Sequence, residues 1–248
     1  MKIISAGKPF IDIDSYASSV AYAELLQLQG EYAVFVNTSE LNASITEEIK
    51  NWHPKPKQSF EAKDSASFIL LDVSDPEQFA DFIIIEQITN IIDHHSGFES
   101  YWGAHPRINT QILSVGAVAT VIFEKWQDAG MLDKMSDETA KILMYAILDN
   151  TLNFKAKITC QRDLVAYKHL EDKTKVDKNF ISDYFLICQS AFESDLNNAL
   201  INDTKKLIFR SYDPVNKIKV GQLTAWNSVE LLSKHKDQLM NFGTSDEN

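Results

Sequence analysis

Short apolar segments alternate with helical segments through the first half of the chain, and this alternation limits the possible folds more than any other feature. Four segments are apolar almost throughout: residues 2–6, 31–36, 67–73 and 90–93. Strands of this kind, separated by helices, indicate a parallel sheet that is covered on both faces. The sequence therefore predicts an α/β fold with a doubly wound, mostly parallel sheet.

Helical patterns lie between and after these strands. Ser15 is the predicted N-cap of the first helix, at residues 15–28, and Ser136 is the predicted cap of a later one. Three further helices are predicted at 117–127, 136–148 and 161–170. The second half of this region is therefore mainly helical.

A charged segment at residues 171–179 is the predicted boundary between two domains, 1–175 and 176–248. The second is expected to be a small, truncated α+β domain that opens with a helix from Phe180. Two strands should follow, joined by a turn at Asp213-Pro214, at residues 207–209 and 217–223.

The charge balance excludes some classes of partner. The chain carries 24 Lys and Arg residues against 35 Asp and Glu residues, a formal net charge of −11. A surface this acidic argues against binding to duplex nucleic acid, which requires a basic face.

No apolar run is long enough to span a membrane, and the N-terminus lacks the pattern of a secretory leader. The two cysteines, Cys160 and Cys188, lie far apart in the sequence. We expect a cytoplasmic protein, and an exposed edge strand favours a homodimer.

Acidic and imidazole side chains follow the predicted strands where those strands end. Asp12 and Asp14 come after the first strand, Asp72 lies near the end of the third, and an Asp-His-His run ends the fourth. In an open parallel sheet the carboxyl ends of the strands line the crevice in which ligands bind. These groups should therefore converge there, and Asp149, which closes an apolar helix, could join them.

Such a cluster requires a cation. Like charges ~4 Å apart repel by about 1 kcal/mol in water and by more in a partly buried cleft. Carboxylate and imidazole ligands together suit Mn²⁺, Fe²⁺ or Co²⁺, and metals held in this way commonly bind phosphoryl oxygens. Taken singly, each Asp is more often a cap or turn residue. The joint placement favours a metal site for phosphoryl transfer to water.

The run IIDHHSG resembles the Asp-His-His signature of the DHH phosphoesterase superfamily, and further motifs appear in the expected order. These are DIDS at 12–15, LLDVSD at 70–75 and LDNTLNFK at 148–155. The segments SVGAVATVIFEKW and AILDNTLNFKAKITCQRD are similar to family II, manganese-dependent inorganic pyrophosphatases, and exopolyphosphatase-like and prune-like proteins are also related. The resemblance covers about the first 175 residues and implies a Rossmann-like catalytic domain.

The resemblance also implies roles for individual residues. Asp72 would bridge two metal ions, His95 would contact substrate phosphate or supply a proton to the leaving group, and Asp93 would fix an imidazole tautomer. One or two Mn²⁺ ions are expected, with Co²⁺ or Mg²⁺ as alternatives. The implied metal ligands are Asp12, Asp14, Asp72, His94 and Asp149.

Two features depart from the pyrophosphatase pattern. Lys8 stands where those enzymes carry a His, so one metal position is weakened or Lys8 supplies a fixed positive charge in its place. The family's basic motif near the end of the second domain has no counterpart after Gly221. Other basic side chains are then the candidates for substrate binding, although solvated surface charge explains them equally well: Lys155, Lys205 and Arg107.

The leading hypothesis is a metal-dependent phosphohydrolase that uses activated water to cleave phosphoanhydride bonds in a small substrate, pyrophosphate or short polyphosphate. An alternative is a DHH-type phosphodiesterase that acts on short or cyclic nucleotides. A third is a degenerate member that binds a phosphate-containing ligand without turnover.

Overall fold

The computed structural model describes residues 1–8, 10–52, 56–57, 66–176, 179–202, 204–209, 216–221, 223 and 225–244. The chain divides into two compact units, Met1–Ile181 and Ser182–Asn248. The division follows Ile181, whereas the charged segment of the sequence places the boundary at 175/176. Each unit is described by itself below.

A five-stranded parallel sheet forms the centre of the first unit, and a separate parallel pair lies beside it. The strands are β1 (Lys2–Ser5), β2 (Phe10–Ile11), β3 (Ala33–Phe35), β4 (Glu40–Leu41), β5 (Ser67–Leu71), β6 (Ile88–Asp93) and β7 (Asn109–Ile112). The sheet has the order β3-β1-β5-β6-β7, and β2 pairs with β4. The predicted α/β fold with a mostly parallel sheet is confirmed.

The strand order places the point where the chain reverses direction between β1 and β5. From β1 the chain moves to β3 on one side and then crosses to β5, β6 and β7 on the other. In doubly wound sheets, ligands bind beyond the carboxyl ends of the strands at this point. Three of the four predicted apolar segments contain β1, β3 and β5, and the fourth, 90–93, is the end of β6.

The edge strand β7 is absent from the sequence prediction. Its sequence, NTQI, is mostly polar, and its residues are exposed or half-buried because the strand has only one neighbour. A strand with one neighbour and no fully buried residue lacks the apolar run by which the other four were recognised.

Helices cover the sheet. They are α1 (Ile13–Leu28), α2 (Glu47–Trp52), α3 (Glu99–Gly103), α4 (Val118–Asp128), α5 (Asp137–Asn150), α6 (Gln161–Thr174) and α7 (Phe180–Ser194), which continues into the second unit. Among them α1 packs on α4 and α5, and α5 packs on α6. The indole of Trp126 joins α4 to α1 by donating to the carbonyl of Ala21 at 3.0 Å.

The N-cap of α1 and the end of α6 differ from those predicted. Asp12, and not Ser15, is the N-cap of α1, because its Oδ1 accepts the backbone N–H of Ser15 at 2.9 Å. At the other end of the unit, α6 continues to Thr174 through part of the charged segment. Lys168 supports this extension by pairing with Glu171 and Asp172, each at 3.0 Å. The predicted cap of α5 by Ser136 is confirmed, since its hydroxyl accepts from Thr139 N.

The second unit contains the rest of α7 followed by two strands and three helices within the described residues. These are α8 (Leu196–Asn202), β8 (Thr204–Phe209), β9 (Asn216–Gly221), α9 (Ser228–Lys234) and α10 (Lys236–Thr244). β8 and β9 are antiparallel and overlap the two strands that the sequence predicts. The predicted turn at Asp213-Pro214 lies outside the described residues.

No helix of the described residues is both long and apolar enough to cross a bilayer. Cys160 is half-buried and Cys188 is buried, and neither forms a disulfide bond.

Phe68 on β5 lies at the centre of the main core and is fully buried among Ile3, Leu70 and Ile91. We expect Phe68→Ala to lower the free energy of unfolding by about 3–5 kcal/mol, because it removes a buried ring and leaves a cavity. Tyr32→Ala is the matched control, since that ring is 64% exposed. Urea denaturation measures both, and equal effects of the two substitutions would contradict the described core.

Candidate metal centre

Four carboxylates and two imidazoles lie at the carboxyl edge of the sheet. They stand on both sides of the point between β1 and β5 where the strand order reverses. Asp12 and Asp14 stand at the start of α1, which follows β1 and β2. Asp72 comes directly after β5, and Asp93 is the last residue of β6. The imidazoles are those of His94 and His95, which follow β6.

A backbone carbonyl fixes the tautomer of His94. The ring nitrogen Nδ1 lies 3.0 Å from the carbonyl oxygen of Val115 and therefore carries the proton that it donates. Burial lowers the pKa of His94, and the neighbouring His95 lowers it further, so the neutral ring is favoured. The unprotonated Nε2 then lies 3.4 Å from Oδ1 of Asp72 and 4.0 Å from Oδ2 of Asp14.

Asp72 has a strained backbone and an acceptor atom without a donor. Its φ of 59° lies in the left-handed region, and its backbone N–H donates to the carbonyl of Ile92 at 2.8 Å. Oδ2 accepts the hydroxyl of Ser15 at 2.6 Å. Within the described part of the chain, the buried Oδ1 has no hydrogen-bond partner. Burial raises the pKa of Asp72, and the charges of Asp12 and Asp93 raise it further.

Asp14 is fully buried and holds the first turn of α4. Its Oδ2 accepts the backbone N–H of Val118 at 2.7 Å, and its Oδ1 accepts that of Ala119 at 2.8 Å. Burial raises the pKa of Asp14 well above its usual range, and the negative charges of Asp72 and Asp12 raise it further. The two backbone hydrogen bonds lower the pKa but do not outweigh these effects. Oδ1 also accepts the hydroxyl of Ser18 at 3.4 Å, so Oδ2 is the oxygen that keeps a second lone pair for a cation.

The donor set at this edge fits a divalent metal. Oδ1 of Asp72 and Nε2 of His94 are two buried acceptors that face each other, and only a proton or a cation between them makes this arrangement favourable. Ligand atoms of Asp72, His94 and His95 all lie within 4.8 Å of one another. Carboxylate and neutral imidazole ligands suit Mn²⁺ and similar ions, and the carbonyl of Val115 supplies the outer hydrogen bond that such an imidazole usually makes.

His95 is oriented differently from His94. Its Nδ1 lies 2.8 Å from Oδ1 of Asp93, which also accepts the backbone N–H groups of His94 at 2.7 Å and His95 at 3.2 Å. Burial raises the pKa of Asp93, but its hydrogen bond and charge interaction with His95 outweigh this and leave the pKa below its usual value. The side chain of His95 is 59% exposed, so the ring faces solvent at the mouth of the cluster.

Asp149 and Lys8 are also assigned to the site by the sequence. Asp149 stands in the last turn of α5, the helix that packs on α1, and is half-buried. Lys8 pairs with Asp81, with 2.9 Å between Nζ and Oδ1, and its side chain is 42% exposed. The metal-ligand role of Asp149 and the charge-supplying role of Lys8 stay predictions.

The three basic residues proposed to bind substrate stand on different elements of the chain. Arg107 is exposed and precedes β7, so it lies toward the amino edge of the parallel sheet, opposite the cluster. Lys155 is exposed in the turn after α5. Lys205 is on β8 of the second unit, where its backbone pairs with Val220. The structure does not bring Arg107 together with the histidines.

Sequence reasoning missed three groups that support the cluster. The sequence predicts Ser15 as a helix cap, whereas in the structure its hydroxyl donates to Asp72. The carbonyl of Val115 is a backbone group, and the residue type gives no indication of its role. Asp163 holds the loop that carries this carbonyl, and its only signal is that it ends the segment similar to pyrophosphatases.

The chain is similar to a known protein family and to named relatives. The profile described as "DHH family, N-terminal domain" matches residues 2–147. A Staphylococcus aureus (strain JH9) protein named "Probable manganese-dependent inorganic pyrophosphatase" is 26% identical over 231 residues, which make up 91% of this chain and 72% of the relative.

Two solved structures have a similar fold. The Methanococcus jannaschii protein described as a "putative family II inorganic pyrophosphatase" has a TM-score of 0.67 at 22% identity and covers 98% of this chain and 81% of its own. An exopolyphosphatase-related protein from Bacteroides fragilis has a TM-score of 0.61 at 15% identity and covers 82% and 61%. At these identities the likeness establishes the fold alone.

Asp72→Asn should weaken Mn²⁺ binding on the order of 100-fold or more, because it removes the charge from the acceptor that faces His94. Asp75→Asn is the matched control, since Asp75 lies in the same segment and only caps a 3₁₀ turn. Calorimetric titration of metal-stripped protein measures both. Equal affinities of the Asp72→Asn variant and the wild type would remove Asp72 from the site.

The same variant should change how the stability of the metal-free protein depends on pH. Because the folded state raises the pKa of Asp72 above 3.8, it retains a proton that the unfolded chain has released. The contribution of this carboxyl therefore lowers the free energy of unfolding as the pH rises from about 4 through its folded-state pKa. We expect the melting temperature of Asp72→Asn to exceed that of the wild type by a margin that grows with pH. Asp75→Asn should follow the wild type, and a margin that shrinks with pH would be inconsistent with a raised pKa.

Proposed function

The chain belongs to the DHH family, and from this premise we propose that it is a metal-dependent phosphohydrolase that cleaves phosphoanhydride bonds. The resemblance to this family in the sequence motifs is confirmed. One observation carries the proposal: the unprotonated Nε2 of His94 faces Oδ1 of Asp72 at 3.4 Å, beside an exposed histidine, and this oxygen has no hydrogen-bond partner in the described part of the chain. That arrangement combines a cation site with a group that can transfer a proton.

The metal would be held by Asp72 and His94, joined by Asp14, Asp12 and, as the sequence predicts, Asp149. We propose Mn²⁺ as the ion, one or two per chain, because the named relative is manganese-dependent and the donors suit it; Co²⁺ or Mg²⁺ are alternatives. A divalent ion in such a site lowers the pKa of a water ligand and neutralises charge on phosphoryl oxygens. Ser15 and the amides of α4 keep the carboxylates in place around it.

His95 is assigned the proton transfer to the leaving group. Asp93 accepts from Nδ1, which orients the ring and stabilises its protonated form. Nε2 would then carry the proton to the phosphate oxygen that leaves. The exposure of the ring supports this role, because a substrate that approaches from solvent meets His95 before the buried His94.

The substrate is proposed to be pyrophosphate or a short polyphosphate. The name of the Staphylococcus aureus relative supports the first, and that of the Bacteroides fragilis protein supports the second. Lys155 follows the helix that carries Asp149 and is the basic residue of the first unit best placed by sequence to contact phosphate. Hydrolysis of a phosphodiester in a short or cyclic nucleotide, and ligand binding without turnover, are the competing outcomes.

The test is product release by the full chain, stripped of metal and reloaded with Mn²⁺. Pyrophosphate, tripolyphosphate, long polyphosphate and a dinucleotide would be supplied separately. We expect Mn²⁺-dependent orthophosphate release from at least one inorganic substrate. Mononucleotide as the only product would favour the phosphodiesterase, and no product from a folded, metal-loaded chain would favour the binding protein.

His95→Gln separates the proton-transfer role from a ligand role. We expect turnover to fall by roughly 10²–10⁴-fold while Mn²⁺ affinity stays unchanged, because His95 is assigned to the leaving group. His169→Gln is the control, since His169 is exposed on α6. A loss of Mn²⁺ affinity in His95→Gln would instead make His95 a ligand, which its position within 4.8 Å of Asp72 and His94 permits.

A further inference from the structure

The loop between β7 and α4 contacts two of the proposed metal ligands through its backbone. The carbonyl of Val115 accepts from Nδ1 of His94 at 3.0 Å. Three residues later α4 begins, and its first amides, those of Val118 and Ala119, donate to Asp14. The position of this loop therefore sets both the tautomer of His94 and the orientation of the Asp14 carboxylate.

Asp163, near the start of α6, holds that loop from a distance of 47 residues along the chain. Its two carboxylate oxygens lie 3.1 and 3.0 Å from the backbone nitrogen of Gly116. The same carboxylate accepts the hydroxyl of Thr120 at 2.7 Å and the backbone N–H of Cys160 at 2.8 Å. It is fully buried, so these hydrogen bonds are shielded from water.

The loop also fits closely against its surroundings at Gly116. A Cβ at this position would lie 2.6 Å from Oδ2 of Asp163 and 2.6 Å from Cγ2 of Thr151. Thr151 follows the last turn of α5, the helix that carries Asp149. Asp163 and Thr151 thus hold the loop from two sides, and the glycine is required because there is no room for a side chain.

We propose that Asp163 is a positioning residue for the metal centre, acting through Gly116 and Val115 on His94 and through the start of α4 on Asp14. The inference rests on the proposed function for the identity of the bound ion. Asp163 touches neither ion nor substrate; it keeps the Val115 carbonyl where Nδ1 of His94 must donate to it, which leaves Nε2 unprotonated toward Asp72. Outer hydrogen bonds of this kind tune metal affinity.

A carboxylate is required at position 163, since an amide could not accept the backbone N–H of Gly116 with both of its polar atoms. Gly116 N–H lies between the two oxygens, and Asn would replace one of them with an NH₂ donor. In either orientation of the amide, a donor would face the N–H of Gly116. Asp163→Asn should therefore shift the loop while changing the volume of the side chain very little.

Glu24→Gln is a matched control for the loss of stability that follows when a carboxylate holding a helix start becomes an amide. Glu24 is also a carboxylate that holds a helix start, because it accepts the backbone N–H of Ser136 at 3.1 Å and the hydroxyl of Thr139 at the start of α5. Its contacts do not include the loop before α4. Both substitutions should lower the melting temperature of the metal-free chain, whereas only Asp163→Asn should affect the metal centre.

The experiment has two readouts on the full chain. Mn²⁺ affinity, measured by the electron paramagnetic resonance signal of the free ion, should fall about 10–100-fold in Asp163→Asn and stay unchanged in Glu24→Gln. Nitrogen NMR of the metal-free proteins should show His94 protonated at Nδ1 in the wild type and in Glu24→Gln, and a mixture of tautomers in Asp163→Asn.

Wild-type affinity and an unchanged tautomer in Asp163→Asn would overturn the proposal, as would an equal loss of affinity in Glu24→Gln. Should Asp163→Asn fail to fold, Gly116→Ala carries the test, because it displaces the loop without altering the carboxylate, and the same two shifts are expected. If the wild type itself binds no Mn²⁺, the proposed function fails, while the tautomer measurement still decides the role of Asp163.

Discussion

The arrangement of the site depends on one unfavourable contact in the metal-free chain. Nε2 of His94 has no proton because Nδ1 carries the proton and donates it to Val115. This Nε2 faces Oδ1 of Asp72, which has no hydrogen-bond donor among the described residues. Asp14 and Asp12 add negative charge around the same point, and burial raises the pKa of Asp14 and Asp72. A cation removes the conflict at once, because it converts facing acceptors and repelling carboxylates into ligands.

The strand order of the sheet brings these groups together at one edge. Reversal of the strand order between β1 and β5 opens the crevice, and each strand around it ends in a residue of the cluster or leads into one. Local backbone then sets the fine geometry: Asp72 is held at positive φ by its hydrogen bond to Ile92, and α4 starts where its amides meet Asp14. The strain at Asp72 is supported by a core in which β5 lies between β1 and β6.

The sequence predicts the sheet and the cluster because both depend on patterns that are local in the chain. Apolar runs mark β1, β3, β5 and β6, and the Asp and His residues at their ends share one edge of a parallel sheet. β7 could not be predicted in this way because its residues are polar. The carbonyl of Val115 and the reach of Asp163 to Gly116 were also beyond the sequence, since they depend on backbone groups and on contacts across 47 residues. Ser15 was misassigned because a hydroxyl at a helix start is usually a cap.

The central claim is that a divalent cation lies between Asp72 and His94. It is tested most directly by a crystal structure of the full chain soaked in Mn²⁺, with data collected on both sides of the manganese absorption edge. The account predicts an anomalous peak between Oδ1 of Asp72 and Nε2 of His94, within bonding distance of both atoms. Anomalous density elsewhere in the molecule, with these two atoms still facing each other and no ion between them, would contradict it.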